Sequence, residues 1–248
     1  MVPGQLLGGC YRPRNGNYWL DRDWTDTGVG KTVVAAAIAA TFAAAGRKVA
    51  VAKPVQTGGQ DDTAEVDRLV GPGVGRRGWQ LARPLDPGLA AELGGDHLFP
   101  GELVAWTLTA LTGVDVGLVD TTGGCASEMK EGFNTSDLAH AVGLSAVVVC
   151  RPGAGTLSHA LLTCDHLRAR HVDITGLVVN RMPRQPTIVE AANLVELERL
   201  TRYPVVGVLP DTVLDPGSFA ALAGEWLGPE LGGRFDKPEF LARMRALQ

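Results

Sequence analysis

"TDTGVGKTVVAAAIAATFAAAG", residues 25–46, joins a glycine-rich turn to a long segment rich in Ala and Val. Gly28 and Gly30 permit positive φ and a close approach of the backbone to a ligand, and the segment after them predicts a helix. Consecutive N–H groups and the positive end of that helix favour an anion at the turn. The order G-x-G-K-T therefore predicts a phosphate-binding loop, in which Lys31 reaches the outer phosphates of a nucleotide and Thr32 offers its hydroxyl to Mg²⁺. The alternative is a glycine turn that caps a surface helix, and the ordered motif argues against it.

The start of this loop departs from the usual pattern, because Trp24 and Thr25 occupy places where such loops open with glycine. A strand should lead directly into the loop. The best candidate, "NYWLDRDW" (17–24), is poor because three of its residues are charged, and charges in a central strand are costly unless they are paired. We therefore treat residues 1–24 as an atypical N-terminal segment, and a tag, a wrong start and a reading-frame error stay open as its origin.

Beyond the loop, apolar runs of strand length alternate with longer Ala- and Leu-rich segments of helical length. This alternation is typical of βα units around a mostly parallel sheet whose two faces are covered. The predicted strands are 48–55, 116–120, 145–150, 174–180 and 204–210. The predicted helices are 32–45, 61–70, 101–111, 136–142, 157–169, 187–200 and 218–226. The fold class is therefore α/β, with a doubly wound, mostly parallel sheet flanked by helices, of the P-loop NTPase type.

The chain divides after its N-terminal segment into one α/β domain, residues 25–233, and a C-terminal extension, residues 234–248. Apolar residues in the extension have helical spacing, which fits a helix docked on the body and equally an exposed one. Within the domain, the glycine-rich segment 71–78 is interpreted as a loop, and 84–96 as an excursion near the edge of the sheet.

The overall charge and composition restrict the partners. A formal net charge of −4 and a pI near 5.7 argue against nucleic acid or an anionic membrane surface as the main partner, and favour a small substrate. No apolar stretch reaches the roughly 18 to 20 residues of a membrane span, and the N-terminal segment lacks the apolar middle of a signal peptide. The four cysteines lack the spacing of a zinc site or a disulfide framework. We expect a cytoplasmic protein.

Polar side chains follow the predicted strand 48–55 in the stretch "AVAKPVQTGGQDDTAEV" (50–66). Lys53, Thr57 and the pair Asp61 and Asp62 place a cation, a hydroxyl and carboxylates at one strand end, where ligands of open α/β sheets bind. Phosphoryl transfer needs positive groups for developing charge and oxygen ligands for Mg²⁺. A solvated loop with a helix cap is the alternative for this stretch alone.

Five motifs together resemble the dethiobiotin synthetase family. They are "TDTGVGKT", "KPVQTG" with the "DD-AEV-RL" that follows, "PLDPGLAA", "GTLSHALLT" and the late "VVN", in order between residues 25 and 229. The resemblance implies a homodimeric P-loop enzyme of biotin biosynthesis. Such a ligase uses ATP, Mg²⁺ and CO2 or bicarbonate to close the ureido ring of dethiobiotin from 7,8-diaminopelargonic acid.

The resemblance also implies roles for individual residues. The ATP-binding residues would be Thr27, Gly28, Val29, Gly30, Lys31, Thr32, Asn180, Pro210 and Asp211, with Asn180 on the adenine. Mg²⁺ would be held by Thr32, Asp62 and Asp120. The catalytic residues would be Lys31, Lys53 and Thr57, with Thr57 on the diamine or its carbamate. The substrate carboxylate would reach Gly155, Thr156, Leu157 and Ser158 across the dimer interface.

Several positions depart from the family pattern. The family's "EGAGG" is "DTTGG" here, so a glutamate becomes Asp120 and two small residues become Thr121 and Thr122; an asparagine becomes Ser158. One alternative is therefore a weakened paralogue that binds nucleotide or substrate without turnover. Another is a P-loop ATPase of the partition or cobyrinate-synthase kind, although the extra lysine of partition ATPases is Asp26 here.

Overall fold

The computed structural model describes residues 18–22 and 28–247. Within them, strands and helices alternate as the sequence predicts. The strands are β1 (Tyr18–Arg22), β2 (Val49–Thr57), β3 (Gly75–Leu81), β4 (Val116–Asp120), β5 (Glu128–Lys130), β6 (Phe133–Asn134), β7 (Ser145–Cys150), β8 (Ile174–Met182) and β9 (Val205–Pro210). The helices are α1 (Lys31–Ala44), α2 (Asp62–Val70), α3 (Pro87–Gly94), α4 (Pro100–Ala110), α5 (Thr135–Val142), α6 (Thr156–Ala169), α7 (Ile188–Thr201), α8 (Pro216–Trp226) and α9 (Lys237–Arg245).

The main sheet of the described residues has seven parallel strands in the order β3-β2-β4-β1-β7-β8-β9. One apolar layer lies between this sheet and α1, α2 and α8, and includes Ile38, Leu118 and Phe219. The other layer lies on the opposite face and includes Leu103, Val148 and Leu241. The predicted doubly wound α/β fold is confirmed, and parallel strands bring all their carboxyl ends to one edge.

The strand that leads into the loop is present, contrary to the interpretation of residues 17–24 as a poor strand. β1 pairs in parallel with β4 on one side, where Tyr18 faces Leu118, and with β7 on the other, where Leu20 faces Val147. A central strand gains hydrogen bonds from two neighbours, and this tertiary pairing outweighs local composition.

The segment 71–78 is not a simple loop, because its second half begins β3. A Cβ at Gly75 would lie 2.5 Å from the carbonyl oxygen of Thr63, and one at Gly78 would lie 2.3 Å from that of Pro54. These glycines serve close packing of β3 against α2 and β2, so composition alone is misleading here. The excursion 84–96 likewise contains α3, which starts with Pro87 and ends before Gly95 at φ 76°.

The C-terminal extension forms α9 and docks on the body. Leu241 and Met244 are buried in the core layer that holds Leu103, and the rings of Phe235 and Phe240 lie 5.4 Å apart. The apolar spacing of the extension thus corresponds to a packed helix. Among the described residues, no helix combines the length and apolar character needed to cross a bilayer.

Candidate active site

The phosphate loop enters α1 through two glycines in the left-handed region. Gly28 has φ 103° and Gly30 has φ 90°, and Val29 between them is buried. These conformations are open to glycine and strained for other residues. The helix that follows begins at Lys31, so its positive N-terminal end lies at the turn. The predicted loop residue Thr27 lies outside the described residues, as do Trp24 and Thr25.

Two lysines converge beside this loop. Lys31, on the first turn of α1, donates from Nζ to the carbonyl oxygen of Gly123 at 2.9 Å. Lys53, on β2, contacts Asp62 Oδ2 at 2.5 Å and Asp120 Oδ2 at 3.1 Å. The sequence predicted both lysines at this edge of the sheet, and the structure brings them to one cavity.

The Lys53 ammonium is buried, with 3% of the residue exposed. Burial acts to lower its pKa, but attraction to Asp120 and Asp62 together with hydrogen bonds to both carboxylates outweighs burial, and the pKa is raised above its ordinary value. Lys53 is therefore a permanent positive charge at neutral pH.

Oxygen atoms suited to Mg²⁺ lie next to this charge. Thr32 Oγ1 donates to Asp120 Oδ2 at 2.7 Å, and Asp62 approaches from the start of α2. Asp120 is 1% exposed, and its Oδ1 has no hydrogen-bond partner among the described residues. A buried carboxylate oxygen without a partner is costly unless a cation binds it, and Mg²⁺ prefers hard oxygen ligands. Thr32, Asp62 and Asp120 therefore fit the ion that the sequence predicted.

The cavity lined by Lys31, Thr32, Lys53 and Asp62, which we call the lysine cavity, has a volume of about 570 Å³ and lies between the phosphate loop, the end of β2, the start of α3 and the end of β4. Thr57 lines it, as predicted. Gln56, which sequence reasoning missed, accepts from the Asp62 backbone N–H at 3.3 Å and so positions the start of α2.

Thr121 and Thr122, which follow Asp120, line the lysine cavity and leave it open. Thr122 donates from Oγ1 to the carbonyl oxygen of Val55 at 2.6 Å, which ties the loop to β2. The carbonyl oxygen of Thr121 accepts from Lys53 Nζ at 3.4 Å. Next to them, Gly123 has φ 79°. The Thr122 side chain therefore adds a link between β2 and the loop after β4.

A second cavity of about 530 Å³ lies on the other side of the phosphate loop. We call it the arginine cavity, because Arg151 and Arg181 line it together with Val29, Thr156 and Asp211. It lies at the carboxyl ends of β7, β8 and β9, where the sequence placed the adenine-binding residues. Pro210 does not line this cavity; it lines a neighbouring one beside α9.

Asn180 contacts the phosphate loop itself. Its Nδ2 donates to the carbonyl oxygen of Val29 at 2.7 Å, and both residues are buried. The predicted adenine residue thus contacts Val29, which also lines the arginine cavity, and its amide nitrogen is engaged by the loop.

Residues 155–158, which were predicted to bind the substrate carboxylate, form the start of α6. Gly155 is the residue before the helix, with φ 88°, and Thr156 is its first residue and is buried. Leu157 packs partly against the core, and Ser158 is exposed. None of the four lines the lysine cavity of the same chain.

Arg151 and Arg181 were missed in the sequence. Arg151 donates from Nη2 to the Gly28 carbonyl oxygen at 3.0 Å, and its place at the end of β7 could have revealed it. Arg181 has φ 60° beside a register shift between β8 and β9, and a single sequence gives no signal for that.

Comparisons with known proteins agree with this arrangement. A family model described as an AAA domain matches residues 25–214. The chain is 40% identical over 219 residues to the ATP-dependent dethiobiotin synthetase of Saccharopolyspora erythraea, covering 86% of this chain and 96% of the relative. It is 38% identical over 224 residues to that of Streptomyces coelicolor, covering 87% and 94%.

Solved structures show the same fold at low identity. A ParA family ATPase from Chlorobium tepidum matches with a TM-score of 0.55 and 14% identity, covering 88% of this chain and 94% of that one. The septum site-determining protein MinD from Pyrococcus horikoshii matches with a TM-score of 0.52 and 16% identity, covering 84% and 95%. At such identities the likeness supports the P-loop fold alone.

Proposed function

The chain belongs to the dethiobiotin synthetase family, and we propose that it closes the ureido ring of dethiobiotin from 7,8-diaminopelargonic acid and CO2 with ATP. Family membership confirms the resemblance of the sequence motifs. The observation that carries the proposal is the meeting of Lys31, Thr32 and Lys53 in one cavity at the phosphate loop, where Thr32 and Lys53 both contact the buried Asp120. This set of groups matches the needs of phosphoryl transfer.

The nucleotide binds through the loop. Backbone N–H groups of Gly28, Val29, Gly30, Lys31 and Thr32, with Thr27 before them, surround the phosphates. The positive end of α1 and the Lys31 ammonium add favourable charge. Asn180, Pro210 and Asp211 bind the base side, a role supported by Asp211, which lines the arginine cavity, and by the contact of Asn180 with Val29 of that cavity.

Thr32, Asp62 and Asp120 hold Mg²⁺, a role supported by the buried oxygen of Asp120. When bound, the ion neutralises charge on the phosphate oxygens during transfer. Asp120 is one methylene shorter than the glutamate of the family pattern, but its carboxylate keeps the charge and would supply an oxygen ligand to the ion.

The chemistry needs no protein nucleophile. CO2 and one substrate amine form a carbamate with loss of a proton, and the carbamate oxygen attacks the outer phosphorus of ATP with departure of ADP. The second amine then attacks the carbonyl carbon, the ring closes, and phosphate leaves together with a proton. Lys53 stabilises the carbamate and the transferring group, and Thr57 contacts the diamine or its carbamate. Catalysis is positioning and charge stabilisation.

The enzyme acts as a cytoplasmic homodimer in this proposal. Gly155, Thr156, Leu157 and Ser158 bind the substrate carboxylate from the neighbouring subunit. The support is geometric: these residues form the N-terminal turn of α6, which suits an anion, yet they lie outside the lysine cavity of their own chain.

Incubation with ATP, Mg²⁺, bicarbonate and 7,8-diaminopelargonate tests the function. We expect phosphate release that depends on the diamine, and a product whose mass shows the closed ring. The variant Lys31→Ala should lose this activity. Nucleotide binding without diamine-dependent phosphate release would favour the non-catalytic paralogue instead.

A further inference from the structure

Asp86 is a carboxylate of the lysine cavity to which no role has been given so far. It lies on the loop before α3 and lines the cavity together with Thr57 and Thr122. Its Oδ1 is 2.9 Å from the position that a Cβ on Gly123 would take. Gly123 is also the residue whose carbonyl oxygen accepts from Lys31, so Asp86 is close to the reacting groups.

The Asp86 side chain does not serve its own helix. It is the residue before α3 and is followed by Pro87 and Gly88, but it makes no capping hydrogen bond. The same Asp-Pro-Gly sequence begins α8, and there Asp215 Oδ2 accepts from the Ser218 N–H at 3.1 Å. Aspartate at this position normally caps the helix. The identical local sequence thus has a different use at α3.

The charges of the lysine cavity leave Asp86 available to a ligand. Asp62 and Asp120 both contact the Lys53 ammonium. Asp86 has no ion pair within the part of the chain that the structure describes. A carboxylate that lines a substrate cavity and forms no ion pair with a protein side chain is suited to bind a cationic group of the substrate.

We propose that Asp86 binds the substrate amine that is not converted to the carbamate, and so makes the site specific for a vicinal diamine. This inference rests on the proposed function. The carbamate binds near Lys53 and Thr57, and Asp86 holds the neighbouring ammonium group from the α3 side. Asp86 is exposed, so this ammonium releases a proton to solvent before the free amine attacks the carbonyl carbon. The pair of opposite charges, lysine for carbamate and aspartate for ammonium, orients the two nitrogen atoms relative to each other.

The variant Asp86→Asn tests the proposal, because it keeps the size of the side chain and removes its charge. We expect KM for the diamine to rise about 10- to 100-fold, as for loss of one charged hydrogen bond, with KM for ATP within about twofold of wild type. Calorimetry of diamine binding to the wild-type and Asp86→Asn proteins should show the same loss. Asp86→Glu should restore part of the affinity.

The matched control is Asp96→Asn, which removes an exposed carboxylate just past the other end of α3 and outside the lysine cavity. It should leave both KM values unchanged. An unchanged KM for the diamine in Asp86→Asn, or an equal loss of ATP affinity, would overturn the role of Asp86. A wild-type protein without diamine-dependent phosphate release would instead count against the proposed function, so the two failures are distinguishable.

Discussion

Asn180 Nδ2 donates to the Val29 carbonyl oxygen at 2.7 Å, and this bond fixes the phosphate loop to the end of β8. The contact leaves no room beside it, because a Cβ on Gly30 would lie 2.2 Å from the same nitrogen atom. The loop conformation therefore depends on a residue 151 positions away in the chain as well as on its own glycines. Anything that displaces either partner should disturb the N–H groups that face the phosphates.

Gly30→Ala should weaken ATP binding by at least about tenfold. Alanine at φ 90° is strained, a cost of about 1–2 kcal/mol, and its methyl group would also displace the buried Asn180 amide. Gly46→Ala is the matched control, since Gly46 has φ 75° but no atom within 4 Å of its Cβ position. It should lose stability and keep ATP affinity. Calorimetric titration with ATP and Mg²⁺ checks both, and equal affinities for Gly30→Ala and wild type would contradict the assigned loop geometry.

Lys53→Met should abolish turnover and also destabilise the fold. Removal of Lys53 leaves the buried Asp120 carboxylate without its ammonium partner, and breaking a buried pair typically costs about 3–5 kcal/mol. Lys237→Met is the control, because Lys237 pairs with Glu198 in a half-exposed position and such pairs contribute about 0–1 kcal/mol. Urea unfolding of the two variants measures the difference. Equal losses of stability would show that the Lys53 site is no more sensitive than a surface pair.

The sequence predicts those parts of the site that follow from strand order. Asp120 ends β4, and Lys53 lies beside it in the middle of β2, one residue after the Ala52–Val119 pair. The apolar runs that mark these two strands were enough to place the two residues together in a parallel sheet. The contact of Asn180 with Val29 was not predictable in this way. It depends on the local register at the end of β8, which shifts between Val179 and Met182.

The prediction of a loop at 71–78 was wrong in its second half, because glycine occurs both in loops and at closely packed positions of strands. Gly75 and Gly78 resemble loop residues in a single sequence, but in β3 they permit contact with Thr63 and Pro54. Composition cannot separate a glycine that adds freedom from one that permits close packing, because only the neighbouring backbone decides between them.

His166 makes the free energy of unfolding depend on pH, and its lowered pKa fixes the direction of that dependence. Burial lowers the pKa of His166, and the nearby Arg170 guanidinium lowers it further, against a smaller opposite effect of Asp137. The unfolded chain therefore binds the proton more readily. The stability contribution of neutral His166 is fully present above its ordinary pKa of 6.5 and is lost as the pH falls from there through the lower pKa of the folded state.

His166→Gln should remove this part of the acid sensitivity. Glutamine retains a polar group near Ser136, whose Oγ lies 2.9 Å from His166 Nε2. Urea midpoints at pH 8 and pH 5 should therefore differ less in the variant than in wild type. An undiminished difference would place the acid sensitivity elsewhere in the chain.

The C-terminal helix should contribute measurably to the stability of the whole domain. Leu241 is 9% exposed and lies in the core layer, so Leu241→Ala should destabilise by about 2–4 kcal/mol, through lost apolar burial and the cavity that remains. Leu247 lies beyond the end of α9 and is 48% exposed, so Leu247→Ala should stay within about 0.5 kcal/mol of wild type. Urea unfolding compares them. A single transition for Leu241→Ala at a lower midpoint would mean that α9 unfolds with the sheet, whereas an unchanged midpoint would contradict the docking of α9 on the body.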